Sequence, residues 1–153
     1  MTKRLPAEWE AQSAVQLTFP HKNSDWAPYL EEVIPCFVAI AEAISRFQKV
    51  LIVCDNVQEV QAHLKNIPSE KLILVELPSN DTWARDHGAI TIEEDGEMTL
   101  LDFIFNGWGL KFAADKDNLI SYQLFEQETF KANVLFKVGM VLEGGGIESD
   151  GKG

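Results

Sequence analysis

The sequence is poor in basic residues and in cysteine. Among its 153 residues, 13 Lys and Arg stand against 24 Asp and Glu, which gives a formal net charge of −11. A protein of this charge repels the phosphate backbone, so we expect no nucleic-acid partner. The two cysteines, Cys36 and Cys54, have no other Cys or His nearby at metal-ligand spacing. We therefore expect two buried free thiols rather than a disulfide or a metal site.

Long apolar runs and cofactor motifs are also missing. No apolar run reaches the roughly 18 residues that a membrane span needs, and the N-terminus carries no apolar signal segment. This predicts a cytoplasmic protein without membrane association. Metal-ligand spacing is absent and neither phosphate-loop pattern occurs, so no cofactor is predicted.

Strand and helix patterns alternate along the chain. The hydrophobic share of 46%, with nine Phe and four Trp, indicates a packed globular core. Apolar positions at three- and four-residue steps predict a helix from Leu30 to about Phe47, with Pro35 at the start of its regular part. Asp55 or Asn56 can cap a second helix that ends near residue 64. A third helix is predicted from 117 to about 130. The predicted strands are 14–20, 50–54, 72–75, 90–92, 98–105, 134–138 and 140–142.

This order predicts an α/β class with a mixed sheet. The strands at 50–54 and 72–75 are wholly apolar, which is typical of strands covered on both faces. Asp95-Gly96 lies between two strand patterns and predicts a hairpin. A loose repetition of strand, helix, strand and polar turn is explained equally well by two repeats of one α/β unit or by chance.

The most informative stretch is the segment at 80–88, which reads Asn-Asp-Thr-Trp-Ala-Arg-Asp-His-Gly. It follows one predicted strand and precedes another, so we interpret it as the wall of an active site. Asp86 can bind a guanidinium or ammonium group through charge-assisted hydrogen bonds, and the indole of Trp83 adds cation–π attraction. The alternative is that Asp86 pairs with Arg85 and only ties the loop.

The direction of the side chains limits what this segment can grip. If residues 81–86 are fully extended, Asp81 and Arg85 face away from Asp86. Either the segment kinks, or Asp86 alone faces a ligand while Asp81 and Arg85 are structural; we favour the second. The pKa of histidine suits His87 to a general base, but a structural role is the preferred interpretation. His21 and His63 are interpreted as surface or loop residues.

Two glycine-rich turns complete the candidate site. The turn at 106–109 reads Asn-Gly-Trp-Gly and either lines a pocket or packs a tryptophan in a tight turn. The turn at 143–146, Glu-Gly-Gly-Gly, resembles an anion-binding nest, but its carboxylate suits close approach to a cation better.

No nucleophile is evident, because neither cysteine lies in a polar, glycine-rich setting and no serine has a strand–turn–helix elbow. Either the chain is a binding module or the attacking group lies beyond residue 153.

Taken together, these motifs resemble the agmatine deiminase / Porphyromonas-type peptidylarginine deiminase family. The motifs that carry the resemblance are at 6–10, 80–88, 105–111 and 142–151. They occur in the family's order and cover the chain from residue 6 onward.

The resemblance implies the pentein fold, an α/β fan of five ββαβ-type units. About the first two units would lie here, so residues 1–153 would be the N-terminal part of a single catalytic domain without a separate second domain. It also implies hydrolysis of a guanidine by a cysteine thiolate. By motif, Asp86 matches the first of two aspartates that hold the guanidinium. The segments lining the pocket are matched by Trp83, Asn106, Trp108, Glu143 and Gly144.

The sequence also departs from the family pattern. The family's catalytic His and Asp lie past the second glycine turn and its Cys near the C-terminus, whereas no His follows His87 and no Cys follows Cys54 here. Leu110 stands where the family often has glycine. We expect the 153-residue chain to be a fragment that is inactive alone. It should expose apolar surface, and therefore be marginally stable in solution or self-associate. The sequence does not determine whether the natural protein is a homo-oligomer.

The expected substrate is a small cationic guanidine. Agmatine, giving N-carbamoylputrescine and ammonia, is the first choice, and peptidyl-arginine is the alternative. A non-catalytic pentein that only binds its ligand is the alternative of a different class.

Overall fold

The computed structural model describes residues 3–130, 132 and 134–152. The chain divides into two compact units. The parallel unit is Gln12–Ala84, and the mixed unit combines Met1–Ala11 with Arg85–Gly153. Both contain strands and helices, which confirms the α/β class. No helix among the described residues has the length and apolar character to cross a membrane.

The parallel unit is a three-stranded sheet with two helices. Its strands are β2 (Ala14–Thr18), β3 (Lys49–Cys54) and β4 (Leu72–Glu76), all parallel, with β3 in the centre. Each residue of β3 from Val50 onward is buried, as its apolar run predicts. Strand β4 is half-buried rather than covered, because it lies at the edge of this sheet.

Two helices connect these strands. Helix α1 is Leu30–Ser45, and its apolar stripe packs on a core that includes Phe19 and Ile52. The expectation that Pro35 opens the regular helix is wrong. A 3₁₀ turn at Ala27–Tyr29 leads into α1. Pro28 lies at the beginning of this 3₁₀ turn, where a missing N–H costs nothing. Pro35 lies inside the helix on its exposed side.

Helix α2 (Val57–His63) is capped as predicted. The side chain of Asn56 accepts a hydrogen bond from the N–H of Glu59 (2.9 Å).

The expectation of two buried thiols is correct for Cys54 and wrong for Cys36. Cys54 is buried, but Cys36 is exposed, because it lies on the solvent side of α1.

The mixed unit is a four-stranded sheet in the order β1-β5-β6-β7. Its strands are β1 (Lys3–Arg4), β5 (Ile90–Glu94), β6 (Glu97–Ile104) and β7 (Val134–Val141). Only the β6–β7 pair is parallel. The predicted hairpin is present, and both turn residues have positive φ (Asp95 +50°, Gly96 +88°), as a two-residue hairpin requires.

The end of the chain is simpler than predicted. One strand, β7, replaces the two expected strands, with a register irregularity where it pairs the end of β6. Helix α3 (Asp117–Glu126) ends earlier than expected, because Glu128 takes a positive φ (+55°) and the N–H of Thr129 closes the last turn onto Leu124. Strand β7 leaves Phe136 and Met140 more than half exposed.

The pairing of the N-terminal segment was not predicted. Arg4 on β1 donates hydrogen bonds to Glu10 (2.8 Å), to Glu93 on β5 and to the carbonyl of Gly151 (3.1 Å). This guanidinium, with the N–H of Ala7, holds the pKa of Glu10 below its usual value. The segment is thereby fastened to the mixed sheet.

Candidate active site

Three loop segments meet at one edge of the mixed sheet. The carboxyl ends of the parallel strands β6 and β7 lie together there, since Ile104 pairs with Val141. Strand β5 is antiparallel and begins at the same edge, since Ile90 pairs with Leu101. The turns at 84–87, 107–110 and 144–146 are therefore brought together, which is the usual position of ligand sites in α/β sheets.

Asp86 is the centre of this arrangement. Its segment is not extended, so the favoured alternative to a kink is wrong: Ala84–His87 forms a single helical turn, and the segment kinks there. The half-buried carboxylate accepts the N–H of Gly145 on Oδ1 (3.0 Å) and the indole N–H of Trp108 on Oδ2 (3.1 Å). An ionised carboxylate has about four acceptor positions, so both oxygens retain capacity for a bidentate guanidinium.

Arg85 takes no part in this arrangement around the carboxylate. Its guanidinium pairs with Glu8 (2.6 Å) and donates to the carbonyl of Ile147 (3.1 Å). The alternative in which Asp86 and Arg85 merely tie their own loop together is therefore disfavoured by the geometry.

Trp108 is held by an unusual backbone turn. Four consecutive residues, 107–110, have positive φ, so the chain makes a left-handed turn. The Asn106 side chain accepts the N–H of Gly109 (2.9 Å), so its amide oxygen serves as a cap for this turn. Edge-to-face contacts with Phe105 (4.9 Å between ring centroids) and Phe112 (5.6 Å) hold the indole from two sides.

Leu110 is strained in this turn, which leads to a prediction. Its φ is +64° and its side chain is 84% exposed. The left-handed backbone conformation therefore costs free energy that burial of the side chain does not offset. Leu110→Gly is expected to raise the free energy of unfolding by about 0.5–1 kcal/mol, because the strain relieved exceeds the added entropy of the unfolded chain. Urea denaturation measures the change.

The matched control is Leu119→Gly, at a half-exposed position inside α3. There the same replacement is expected to lower the free energy of unfolding by about 1 kcal/mol, because glycine is unfavourable in a helix. Equal signs in the two variants would contradict the assignment of strain to Leu110.

The glycine turn at 144–146 approaches the Asp86 turn closely. A Cβ on Gly144 would lie 2.2 Å from the carbonyl oxygen of Arg85, so only glycine fits at this position. Gly145 supplies the N–H that Asp86 accepts. The turn therefore does hold an anion, which is the protein's own carboxylate; the interpretation that it served mainly to approach a cation missed this role. Glu143 precedes the turn and is half-buried.

Trp83 lies in the parallel unit, whereas the other predicted site residues lie in the mixed unit. Its side chain is half exposed, and its ring centroid is 6.4 Å from that of Trp26. Asp81, expected to be structural, accepts a hydrogen bond from the indole N–H of Trp26 (3.0 Å).

The histidines are placed only partly as expected. His87 is 3% exposed and its ring centroid lies 6.2 Å from that of Phe105, which favours the structural interpretation. His63 is exposed. His21 lies in a loop, as one of the two expected alternatives has it, but its side chain is buried and bonds with Ser79.

Neither cysteine has the setting of an attacking group. Burial raises the pKa of the Cys54 thiol to about 11, and the nearby carboxylates of Asp55 and Glu76 act in the same direction. Cys54 is therefore protonated at neutral pH, and Cys36 lies inside helix α1 rather than in a polar, glycine-rich turn. Among the described residues, no cluster of three or more His, Cys, Asp or Glu could hold a metal ion.

Gly145, Phe105 and Phe112 were missed as site residues. The signal for Gly145 was present in the run of three glycines, which indicates a backbone donor but not which residue donates. For the two phenylalanines no local pattern separates a ring that supports Trp108 from one in the core.

The comparison with known families decides the relationship. The profile of the Porphyromonas-type peptidyl-arginine deiminase family matches residues 4–153. The chain belongs to this family. The resemblance based on the four motifs is thereby confirmed.

Relatives and solved structures of this family agree. A Shewanella baltica (strain OS185) protein described as a candidate agmatine deiminase is 36% identical over 97% of this chain and 40% of its own length. The C. jejuni agmatine deiminase with substrate bound superposes with a TM-score of 0.91 at 40% identity, covering 99% of this chain and 44% of that one. A candidate arginine deiminase from Porphyromonas gingivalis gives a TM-score of 0.88 at 46% identity, covering 98% and 45%.

These matches bear on the fold and on the extent of the chain. They confirm the pentein-type α/β fold class expected for the family. The chain spans less than half the length of the relatives that it matches.

Proposed function

We propose that this chain provides the first part of the substrate site of a C–N hydrolase that deiminates agmatine to N-carbamoylputrescine and ammonia. The observation that carries the proposal is the carboxylate of Asp86, held on both oxygens by N–H donors while keeping acceptor positions for a guanidinium. The substrate named for the matching C. jejuni enzyme supports the choice of agmatine.

The proposed reaction needs a group that this chain does not supply. A cysteine thiolate attacks the guanidinium carbon, ammonia leaves, and water then releases the ureido product from the enzyme sulfur. Cys54 cannot serve, because it is buried and protonated. The thiolate and the histidine that moves its protons would come from the remaining length of the family fold.

Each proposed site residue has a distinct role. Asp86 binds the guanidinium. The family motifs assign the indoles of Trp83 and Trp108 to contacts with the cationic substrate. Asn106 shapes the turn that carries Trp108, and Gly144 lets the turn after Glu143 approach Asp86. We place Glu143 among the groups that contact substrate. The proposed setting is cytoplasmic, as a source of the putrescine precursor, within one catalytic domain that extends past residue 153.

Peptidyl-arginine is the second candidate substrate, because the matching family is described by that activity. The two are separated by assaying the protein from the complete reading frame with agmatine and with an arginine-containing peptide, measuring ammonia and ureido product. We expect turnover of agmatine. Faster turnover of the peptide would reverse the choice, and no turnover of either would support the binding-only alternative.

The 153-residue chain alone is the control for the missing thiolate. It is expected to release no ammonia from agmatine. Protein-dependent turnover by the chain alone would contradict the assignment of the nucleophile to residues beyond it.

A further inference from the structure

Two loops of the parallel unit are fastened together at the carboxyl edge of its sheet. One loop, 21–26, follows β2, and the other segment, 79–83, follows β4. Side-chain hydrogen bonds join them at two points, His21 with Ser79 and Trp26 with Asp81. We call this pair of contacts the double clasp. The sheet edge on which it lies is where α/β proteins place ligand sites.

The first contact is buried and its proton can be assigned. The Nε2 atom of His21 lies 3.1 Å from the Ser79 hydroxyl, and these residues are 6% and 1% exposed. The N–H of Asn23 donates to Nδ1 of the same ring (3.2 Å). Because Nδ1 accepts, the neutral ring carries its proton on Nε2 and donates it to Ser79.

This assignment excludes a hydrolytic triad. A carboxylate oxygen of Asp55 lies 3.9 Å from Nδ1, so Ser79, His21 and Asp55 resemble such a triad in their order. A serine nucleophile must give its proton to the imidazole, whereas Ser79 receives one here and is closed to substrate. The contact therefore serves to fasten the two loops.

The second contact controls the path of the chain into Trp83. One oxygen of Asp81 accepts the indole N–H of Trp26 (3.0 Å), the N–H of Thr82 (2.7 Å) and the Thr82 hydroxyl (3.3 Å). Three donors on one atom restrict the backbone at Asp81 and Thr82, immediately before Trp83. The Trp26 ring also lies beside Trp83, with centroids 6.4 Å apart and planes inclined by 43°.

We propose that Trp26 is a positioning residue for the substrate site, acting through Asp81 and Trp83, and that the His21–Ser79 contact holds its loop in place. The half-exposed indole of Trp83 is thereby presented in one orientation to a cationic substrate. The link to substrate rests on the proposed function above; the positioning of Trp83 does not.

The positioning is tested by NMR of the indole N–H groups in the protein from the complete reading frame. Residues 1–153 contain four tryptophans, and the cross-peak of each is assigned by single substitution. Trp26→Phe keeps an aromatic ring but removes the N–H. We expect the Trp83 cross-peak to shift and broaden in this variant, because the backbone before it is less restrained.

Two further variants sharpen the test. Trp9→Phe is the matched control, because Trp9 is 77% exposed, lies in the mixed unit and should leave the Trp83 signal unchanged. His21→Leu should disturb the Trp83 signal, whereas His21→Gln, whose amide can still donate to Ser79, should largely restore it. An unchanged Trp83 signal in both Trp26→Phe and His21→Leu overturns the proposal.

The consequence for substrate is tested on the protein from the complete reading frame. Trp26→Phe is expected to raise the KM for agmatine about tenfold with kcat within about twofold, because an oriented indole contributes to binding rather than to the chemical step. A changed Trp83 signal with an unchanged KM overturns the substrate role of the clasp. An inactive wild-type protein contradicts the proposed function instead, and the NMR result still decides the positioning.

Discussion

Gly144→Ala is expected to lower the free energy of unfolding by roughly 3 kcal/mol. The added Cβ would lie 2.2 Å from the carbonyl oxygen of Arg85 and 3.3 Å from Cδ1 of Ile90. A backbone oxygen cannot rotate out of the way as a side chain can, so the turn at 144–146 must move away from the turn that carries Asp86. Urea denaturation measures the loss.

The control lies two residues away in the same turn. A Cβ on Gly146 meets nothing within 4 Å, so Gly146→Ala is expected to leave stability unchanged or to raise it by up to about 1 kcal/mol. If both variants lose the same stability, the close approach at Gly144 is not the cause. In the complete protein, Gly144→Ala should also reduce activity, because Gly145 is drawn away from Asp86.

Asp86→Asn is expected to have the largest effect on activity. In the protein from the complete reading frame, we expect kcat/KM for agmatine to fall by at least about 10³, roughly 4 kcal/mol of transition-state stabilisation. The amide is nearly isosteric but carries no charge for the guanidinium. Steady-state kinetics measures the loss, and activity within about tenfold of wild type would make Asp86 a structural residue.

The same change also has a structural cost that shape alone does not predict. Asp86 accepts one N–H on each oxygen, from Gly145 and from Trp108. An asparagine has only one oxygen, so its NH₂ group must face one of these donors. We expect Asp86→Asn to cost about 1 kcal/mol of stability, at the lower end of the range for an unmade hydrogen bond, because Gly145 is exposed to water.

A double-mutant cycle separates the two effects. Trp108→Phe removes the indole donor, so an asparagine at 86 can bond to Gly145 and turn its NH₂ group toward the vacated side. Asp86→Asn should therefore cost less stability in the Trp108→Phe background than alone, while activity stays lost. An equal stability cost in both backgrounds would contradict the assignment of the donor pair.

Several local features were predictable because their causes are local. The hairpin at Asp95-Gly96 requires positive φ at two residues that tolerate it, and the Asn56 cap requires only the next turn of helix. The wrong interpretation of Pro35 as the start of the regular part of α1 has a local cause as well. Pro28 and Pro35 both suit a first turn, and only the tertiary packing shows that the helix continues through the second.

The candidate site was predicted in position but not in geometry. The motifs identify Asp86 and the two glycine turns, and the family relationship follows from them. The two donors to Asp86 are Trp108, which lies 22 positions further along the chain, and Gly145, which lies 59 positions further along. Periodicity and turn chemistry contain no information on such pairs.

The sequence by itself determined the class of fold, the family and the candidate site residues, because each depends on short patterns of residue type. Only the tertiary structure decided how these residues are held. It shows the left-handed turn that orients Trp108 and the close backbone approach that requires Gly144. It also shows the hydrogen bond between His21 and Ser79, which are 58 positions apart. These contacts form between segments that sheet pairing brings together, so their geometry is a property of the packed chain.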